Sequence, residues 1–388
     1  MNLRGRRIQI AGSADPDADE RALTYAHSLV SVLSVALARE GASFVIPFGK
    51  EPLLNGRVDG PSIIFDWTVA EATHRALKEG RAQSSSPNGR LVSTLATSKT
   101  DIQIPPTRRH IYDELRQSDA VDLEFLDSGW NAGATRRRRA AQLGDILIGV
   151  SGGEGVEHLA VEYSSLGKPV IPLDIDLGSS GQDGSGGASR LFARALSQPD
   201  DFFRVGPGHS PSDLLDRTRA NSARTDVEIV VAAIMTLLQA LIPPRAFYVR
   251  LLNDKLPEYA SVERFFRGTV DSLVKALGYE PFQMGLGQNE FAWMNQAIFD
   301  SLHHSAVAVV DLTLLRPNCF MELGYALGNR QKVIVTARSD TQLPFDAFAL
   351  EAFQWNEAEE LSKSIDRFRT HWERNISMPT LVRPKEAK

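Results

Sequence analysis

Short runs rich in β-branched residues alternate with amphipathic stretches along the whole chain. In the first part, strands are predicted at 7–11, 43–47, 91–96, 145–150 and 169–173. Helices are predicted near 20–40, 69–78, 107–117, 135–142 and 157–166. Strand–helix alternation of this kind predicts a parallel sheet covered by helices on both faces. A helix over 226–242 ends at Pro243-Pro244, which cannot continue it and biases the preceding residue towards an extended conformation. The alternation then resumes more tightly. Strands are expected at 246–251, 280–284, 306–311, 332–336 and 352–355, with helices at 262–277, 291–303, 317–327 and 358–372. The expected fold class is α/β, with two doubly wound parallel-sheet domains, Rossmann-like over 1–243 and flavodoxin-like over 244–388. The stretch 178–187 (GSSGQDGSGG) is too polar for a core and reads as a loop.

A length of 388 residues suits two cores better than one. Apolar residues make up 43% and charged residues 23%, a globular composition. A formal charge of -5 argues against a nucleic-acid-coating surface. The single cysteine, Cys319, cannot form an internal disulfide and fits a reducing compartment. No apolar run is expected to span a membrane, and the N-terminus lacks a signal-peptide pattern, so a cytoplasmic location is expected. No Cys/His set has zinc spacing, so no metal is expected.

Two loops in the first half carry candidate chemistry. The first strand opens into Gly12-Ser13, a small-residue turn where backbone N–H groups and a helix start can meet phosphate. The fourth opens into SGGEG, whose Gly152, Gly153 and Gly155 would permit positive φ and close backbone approach to an anion. A tight turn that needs glycine for geometry alone is the competing explanation. Arg109 and Arg136, each near a helix start, are the cationic candidates for a phosphorylated ligand. Four consecutive arginines, 136–139, cannot all face one way on a helix.

These loops, with GKPVIPLD after them, resemble the SLOG superfamily, which includes the LOG phosphoribohydrolases and sensor domains of bacterial defence proteins. In the LOG pattern PGGxGTxxE the last glutamate is catalytic. Here Ser151 replaces the proline, Val156 the threonine and Leu159 the glutamate. The resemblance implies a nucleotide binder in this half rather than a hydrolase.

In the second half, VVDLTLLRPNCFMELGYALG ends a strand on Asp311 and starts a helix at Pro317. Ligand crevices lie at the carboxyl ends of parallel strands, so Asp311 is expected to face one. Glu322 falls in the second helical turn, with Asn318 and Tyr325 on neighbouring faces. The helix dipole would hold Glu322 ionised, suited to attack or stabilise a sugar cation. A salt bridge at the rim would explain both carboxylates equally. Tyr248, Arg250 and Asn253 lie on or after the first strand of this half and are candidate substrate contacts. Phe291 and Trp293 read as core, and His303-His304 as a helix end.

This segment, followed by KVIVTAR and LPFD, resembles the nucleoside 2-deoxyribosyltransferase-like and TIR-like group over about 245–356. The resemblance implies that Glu322 attacks or stabilises the anomeric carbon while an N-glycosidic bond breaks, and that Asp311 assists. Pro317-Asn318 stands where transferases often carry Gly-Thr, which leans towards the TIR-like side. The combined expectation is a nucleotide-signal-gated N-glycosidase of antiphage defence, with NAD or a related nucleotide as substrate and no required cofactor. A homo-oligomer is implied by the family resemblance. A housekeeping transferase and a purely binding protein are the alternatives.

Overall fold

The structure is a computed structural model that describes residues 3–57, 59–86, 89–126, 132–178, 187–220, 225–283, 291–303, 305–344 and 350–378. Most of the 178–187 stretch, His304 and the side chains of Phe291 and Trp293 lie outside this description. The chain folds as two compact units, Met1–Ile242 and Pro243–Lys388.

The first unit is built on a six-stranded parallel sheet. Its strands are β1 (Arg7–Ser13), β2 (Ser43–Val45), β5 (Val92–Ala96), β6 (Val121–Phe125), β7 (Ile146–Ser151) and β8 (Val170–Leu173). A two-residue hairpin, β3 (Ser85–Ser86) and β4 (Gly89–Arg90), stands apart. The order is β6-β5-β2-β1-β7-β8. The chain winds outward from β1 to β6, then crosses back to β7 on the other side of β1, so the strand order reverses between β1 and β7. That reversal opens a crevice at the carboxyl ends of those two strands. Every residue of β5 and β7 is buried, as expected for strands covered on both faces.

The helix Glu20–Arg39 covers one face. Asp19 caps it by accepting from the Ala22 N–H at 2.8 Å, which satisfies one of the donors a helix start leaves open. Contrary to the sequence expectation, it is long and apolar enough to cross a membrane. In the folded unit, however, Leu23, Leu29, Leu33 and Leu37 are fully buried. Each such leucine contributes about 1.5–3 kcal/mol of burial. Helix Val227–Ala240, capped by Asp226, packs against it.

The second unit holds β9 (Arg245–Val249), β10 (Glu280–Phe282), β11 (Val307–Asp311), β12 (Lys332–Arg338) and β13 (Phe353–Trp355). All pairings in this sheet are parallel, in the order β10-β9-β11-β12-β13. The order reverses between β9 and β11, which places the crevice beyond Val249 and Asp311. Successive strand residues point to opposite faces. Phe247, Val249, Ala308, Val310 and Leu312 pack with Cys319, Leu323 and Ala326 of helix Pro317–Gly328. On the other face Tyr248 meets Phe266, and Phe265 stacks on Trp355 with ring centres 4.7 Å apart. Phe266–Val270 is a π-helical turn between helices Tyr259–Phe265 and Asp271–Ala276.

Candidate functional sites

In the first unit the ends of β1 and β7 are locked together. A Cβ on Gly12 would fall 1.8 Å from the Val150 carbonyl oxygen, so glycine is needed for the two strands to approach. The Gly152 N–H donates to the Ser13 carbonyl at 2.7 Å. Ser151 and Gly152 are both left-handed, with φ of 50° and 81°. For serine that conformation costs about 1–2 kcal/mol, and its buried hydroxyl has no hydrogen-bond partner among the described residues. A strained, unsatisfied residue at a strand end is a mark of functional loops.

The expectation of positive φ at all three SGGEG glycines needs correction. Gly153 has φ -114° and precedes helix Glu154–Ser165, and Gly155 lies inside that helix. Only Gly152 is left-handed, and there a Cβ would also strike Val156 at 2.4 Å. Gly12 and Gly152 therefore serve chain packing. A Cβ on Gly155 would meet nothing within 4 Å, because the glycine borders open space. The helix start has no side-chain cap, which leaves backbone N–H groups for an anion.

That open space is a cleft of about 590 Å³. Gly12, Ser13, Gly153 and Gly155 line it, together with Arg136, Arg137 and Asp66. The four arginines on helix Ala132–Leu143 divide their work. The Arg137 Nε donates to His158 Nδ1 at 3.1 Å, Arg138 pairs with Glu162 at 3.7 Å, and Arg139 holds Glu124 with two bonds of 2.7 and 2.9 Å. Among the described residues, Arg136 has no ion-pair partner within 4 Å, and it faces the cleft. Lys168 fixes the end of this helix by donating to the carbonyls of Ala141, Gln142 and Gly144 at 2.9, 2.9 and 2.5 Å. Arg109 is elsewhere. It bonds the Asp101 carbonyl at 3.1 Å, approaches Asp113 at 3.5 Å and does not line the cleft.

Asp66, which the sequence reading missed, is the first residue of helix Asp66–Lys78. Burial pushes its carboxyl up to about 7, while the Arg136 charge pulls it down. The helix was expected to begin at 69, which left this acid in a loop without assigned chemistry.

In the second unit Asp311 and Glu322 share no hydrogen bond, although both act electrostatically on the buried Cys319 thiol, and their surroundings differ. Asp311 is 1% exposed and does not open into a crevice. Its carboxylate accepts from Thr336 Oγ1 at 2.8 Å, Trp355 Nε1 at 3.0 Å and the Thr313 N–H at 3.1 Å. Burial raises its pKa and those hydrogen bonds oppose the rise. The strand alternation turns Asp311 away from the face on which helix Pro317–Gly328 packs.

Tyr248 and Arg250 are also buried rather than presented to a ligand. The Tyr248 hydroxyl donates to Asp271 at 2.9 Å. Arg250 pairs with Glu263, donates to Gln283 at 2.9 Å and lies over the Phe266 ring. The Asn253 side chain accepts from the Lys255 N–H at 3.1 Å, forming a turn. These contacts follow from β9 turning its even-numbered side chains onto helix Tyr259–Phe265 and its continuation.

Glu322 is different. It is half-buried on helix Pro317–Gly328, and no described residue lies within hydrogen-bonding distance of its carboxyl group. Burial pushes the pKa up to about 7 and Arg316 opposes this. Desolvation thus outweighs the dipole that was expected to keep Glu322 ionised. Asn318 is exposed in the first turn, and the Tyr325 hydroxyl lies 3.2 Å from His303 Nδ1. The loop between Asp311 and this helix carries two left-handed leucines, Leu314 and Leu315, with φ of 67° and 48°. Branched residues adopt that conformation only where the surroundings force it, a feature that clusters at ligand sites. Among the described residues no group of three His, Cys, Asp or Glu is placed to hold a metal ion.

Comparison with known proteins adds to this geometry. ATP nucleosidase Cap17 of Escherichia coli (strain KTE188) is 21% identical over 345 residues, 86% of this chain and 66% of that protein. The chain thus spans just under two thirds of the length of the curated relatives it matches. Among solved structures, DNA processing protein A from Helicobacter pylori is 13% identical, covers 60% of this chain and 81% of its own, and has a TM-score of 0.34. The molybdenum cofactor carrier protein from Chlamydomonas reinhardtii is 17% identical, with coverages of 61% and 99% and a TM-score of 0.31. Scores that low carry no functional weight. The family model described as "ATP nucleosidase Cap17-like, N-terminal" matches residues 3–238, and the chain belongs to that family.

Proposed function

We propose that this chain is a nucleotide-gated N-glycosidase, in which the first unit binds a nucleotide signal and the second cleaves the base from ATP or a related nucleotide. The observation that supports the chemical half is Glu322. A half-buried carboxyl group with no hydrogen-bonding partner among the described residues, its pKa pushed up to about 7 by burial, is costly unless something uses it.

In the proposed reaction the C1′–N bond breaks and its electron pair leaves with the base, which takes up a proton. Ionised Glu322 either attacks C1′, forming a glycosyl ester that water then hydrolyses, or stabilises the sugar cation until water adds to C1′. Arg316, electrostatically linked to Glu322 without an ion pair, would offset phosphate charge on the substrate. Asp311 would act indirectly, by fixing the strained loop through the Thr313 N–H. The name of the curated relatives supports ATP as the first substrate to test, and the TIR-like resemblance of the second unit supports NAD as the next. Release of the base from either would deplete a nucleotide pool, which fits a role in antiphage defence.

The test is to incubate the full chain with ATP and, separately, with NAD, alone and with a panel of cyclic and ADP-ribose-type nucleotides. Free adenine or nicotinamide is then measured by chromatography. Base release, stimulated by at least one panel member, is the expected result. Intact nucleotide under every condition would contradict the proposal.

A further inference from the structure

The cleft of the first unit holds two charged side chains of opposite sign that do not satisfy each other. Asp66 and Arg136 both line it. They sense each other electrostatically but do not approach within 4 Å, and no described residue pairs with either. A carboxyl group and a guanidinium facing one space would normally close into an ion pair. Here they are mounted on separate helices, Asp66–Lys78 and Ala132–Leu143, and the second is fixed at its far end by Lys168. Keeping them apart leaves room for a ligand that answers both.

That ligand needs an anionic group and, next to it, a hydroxyl. The anion belongs at Arg136 and the uncapped start of helix Glu154–Ser165, where backbone N–H groups and a positive end-charge add to the guanidinium. The complement of a carboxyl group facing the same space is a hydroxyl donor or acceptor. A ribose carrying a phosphate presents both groups a few bonds apart. A bare phosphate presents only the first.

We propose that Asp66 is a specificity-determining residue of this cleft, hydrogen-bonding a ribose hydroxyl of a nucleoside phosphate whose phosphate is held by Arg136. The inference rests on the reading of this cleft as a nucleotide site. The raised titration of the Asp66 carboxyl fits, since a group poised near neutrality can both donate to and accept from a hydroxyl. A site built to bond a hydroxyl rejects the ligand that lacks it, because the buried polar group is then left unpaired.

Equilibrium dialysis of the full chain, quantifying intact nucleotide by mass spectrometry, tests this with ATP, 2′-deoxy-ATP, 3′-deoxy-ATP and inorganic phosphate as probes. Wild type is expected to bind ATP at least about tenfold more tightly than one of the deoxy forms. Asp66→Ala and Asp66→Ser should bring ATP down to the affinity of that deoxy form, and Arg136→Gln should weaken all the nucleotides together. Equal binding of all three nucleotides by wild type, or discrimination that survives both Asp66 substitutions, overturns the role of Asp66 while leaving the cleft a nucleotide site. Nucleotide binding indifferent to Arg136→Gln, or no binding at all, removes the cleft reading and this inference with it.

Discussion

Glu322 and Asp311 were both catalytic candidates in the sequence, a helix acid expected to react and a strand-end acid expected to assist, eleven positions apart. Their surroundings separate them. Asp311 is buried and accepts three hydrogen bonds, so Asp311→Ala should cost about 2 kcal/mol or more by leaving the Trp355 and Thr336 donors unpaired. A chemical denaturation midpoint unchanged from wild type would contradict that structural role. Glu322 has no such partners among the described residues, and a change there should be tolerated. If its ionised form is the reacting one, base release should rise with pH as Glu322 loses its proton, then level off above about 7. A rate that falls over the same range would mean that the protonated acid does the work. None of this was legible from spacing, because the pattern D-x-T-x-x-x-x-N-x-x-x-E fixes sequence distance and not which sheet face each side chain takes.

At the scale of elements, the strongly apolar strands and the glycine-marked loops were readable, because strands covered on both faces have to be apolar throughout. Strand β6 was not. Its residues, VDLEF, lie at the sheet edge, are half-buried or exposed, and lack the apolar run that marks a central strand. The start of helix Asp66–Lys78 was missed for a related reason. Phe65 precedes it without a side-chain cap, so no N-terminal signal marks the start and the cleft acid went unnoticed. The arginine run could be narrowed only to the statement that its members diverge, and the partners of Arg137, Arg138 and Arg139 single out Arg136. Lys168 holds the helix that presents it. Lys168→Met should remove three bonds from a buried amine, whose pKa burial lowers to about 7, leave helix-end carbonyls unpaired and lower stability by about 1–3 kcal/mol, read as a shift in denaturation midpoint. Stability equal to wild type would mean that the helix end is held by other contacts.

For the whole molecule, both sheets reverse their strand order, and in the first unit the cleft lies at the carboxyl ends of the strands where that reversal falls, a position set by parallel-sheet topology and not by any one motif. If the first unit is the sensor, Arg136→Gln should leave basal base release intact and abolish its stimulation by an activating nucleotide. Allosteric coupling of this kind typically amounts to about 1–3 kcal/mol. Stimulation undiminished in the variant would separate the cleft from control. The most direct measurement for the proposed chemistry is the rate of adenine release from ATP by wild type and by Glu322→Gln, each shown to be folded by its melting transition. The expected result is release by wild type and a loss of at least about a hundredfold in the variant, which keeps the shape of the side chain and removes its charge. Equal rates in two folded proteins, or no release from wild type under any stimulus, would contradict the assignment of N-glycosidase chemistry to Glu322.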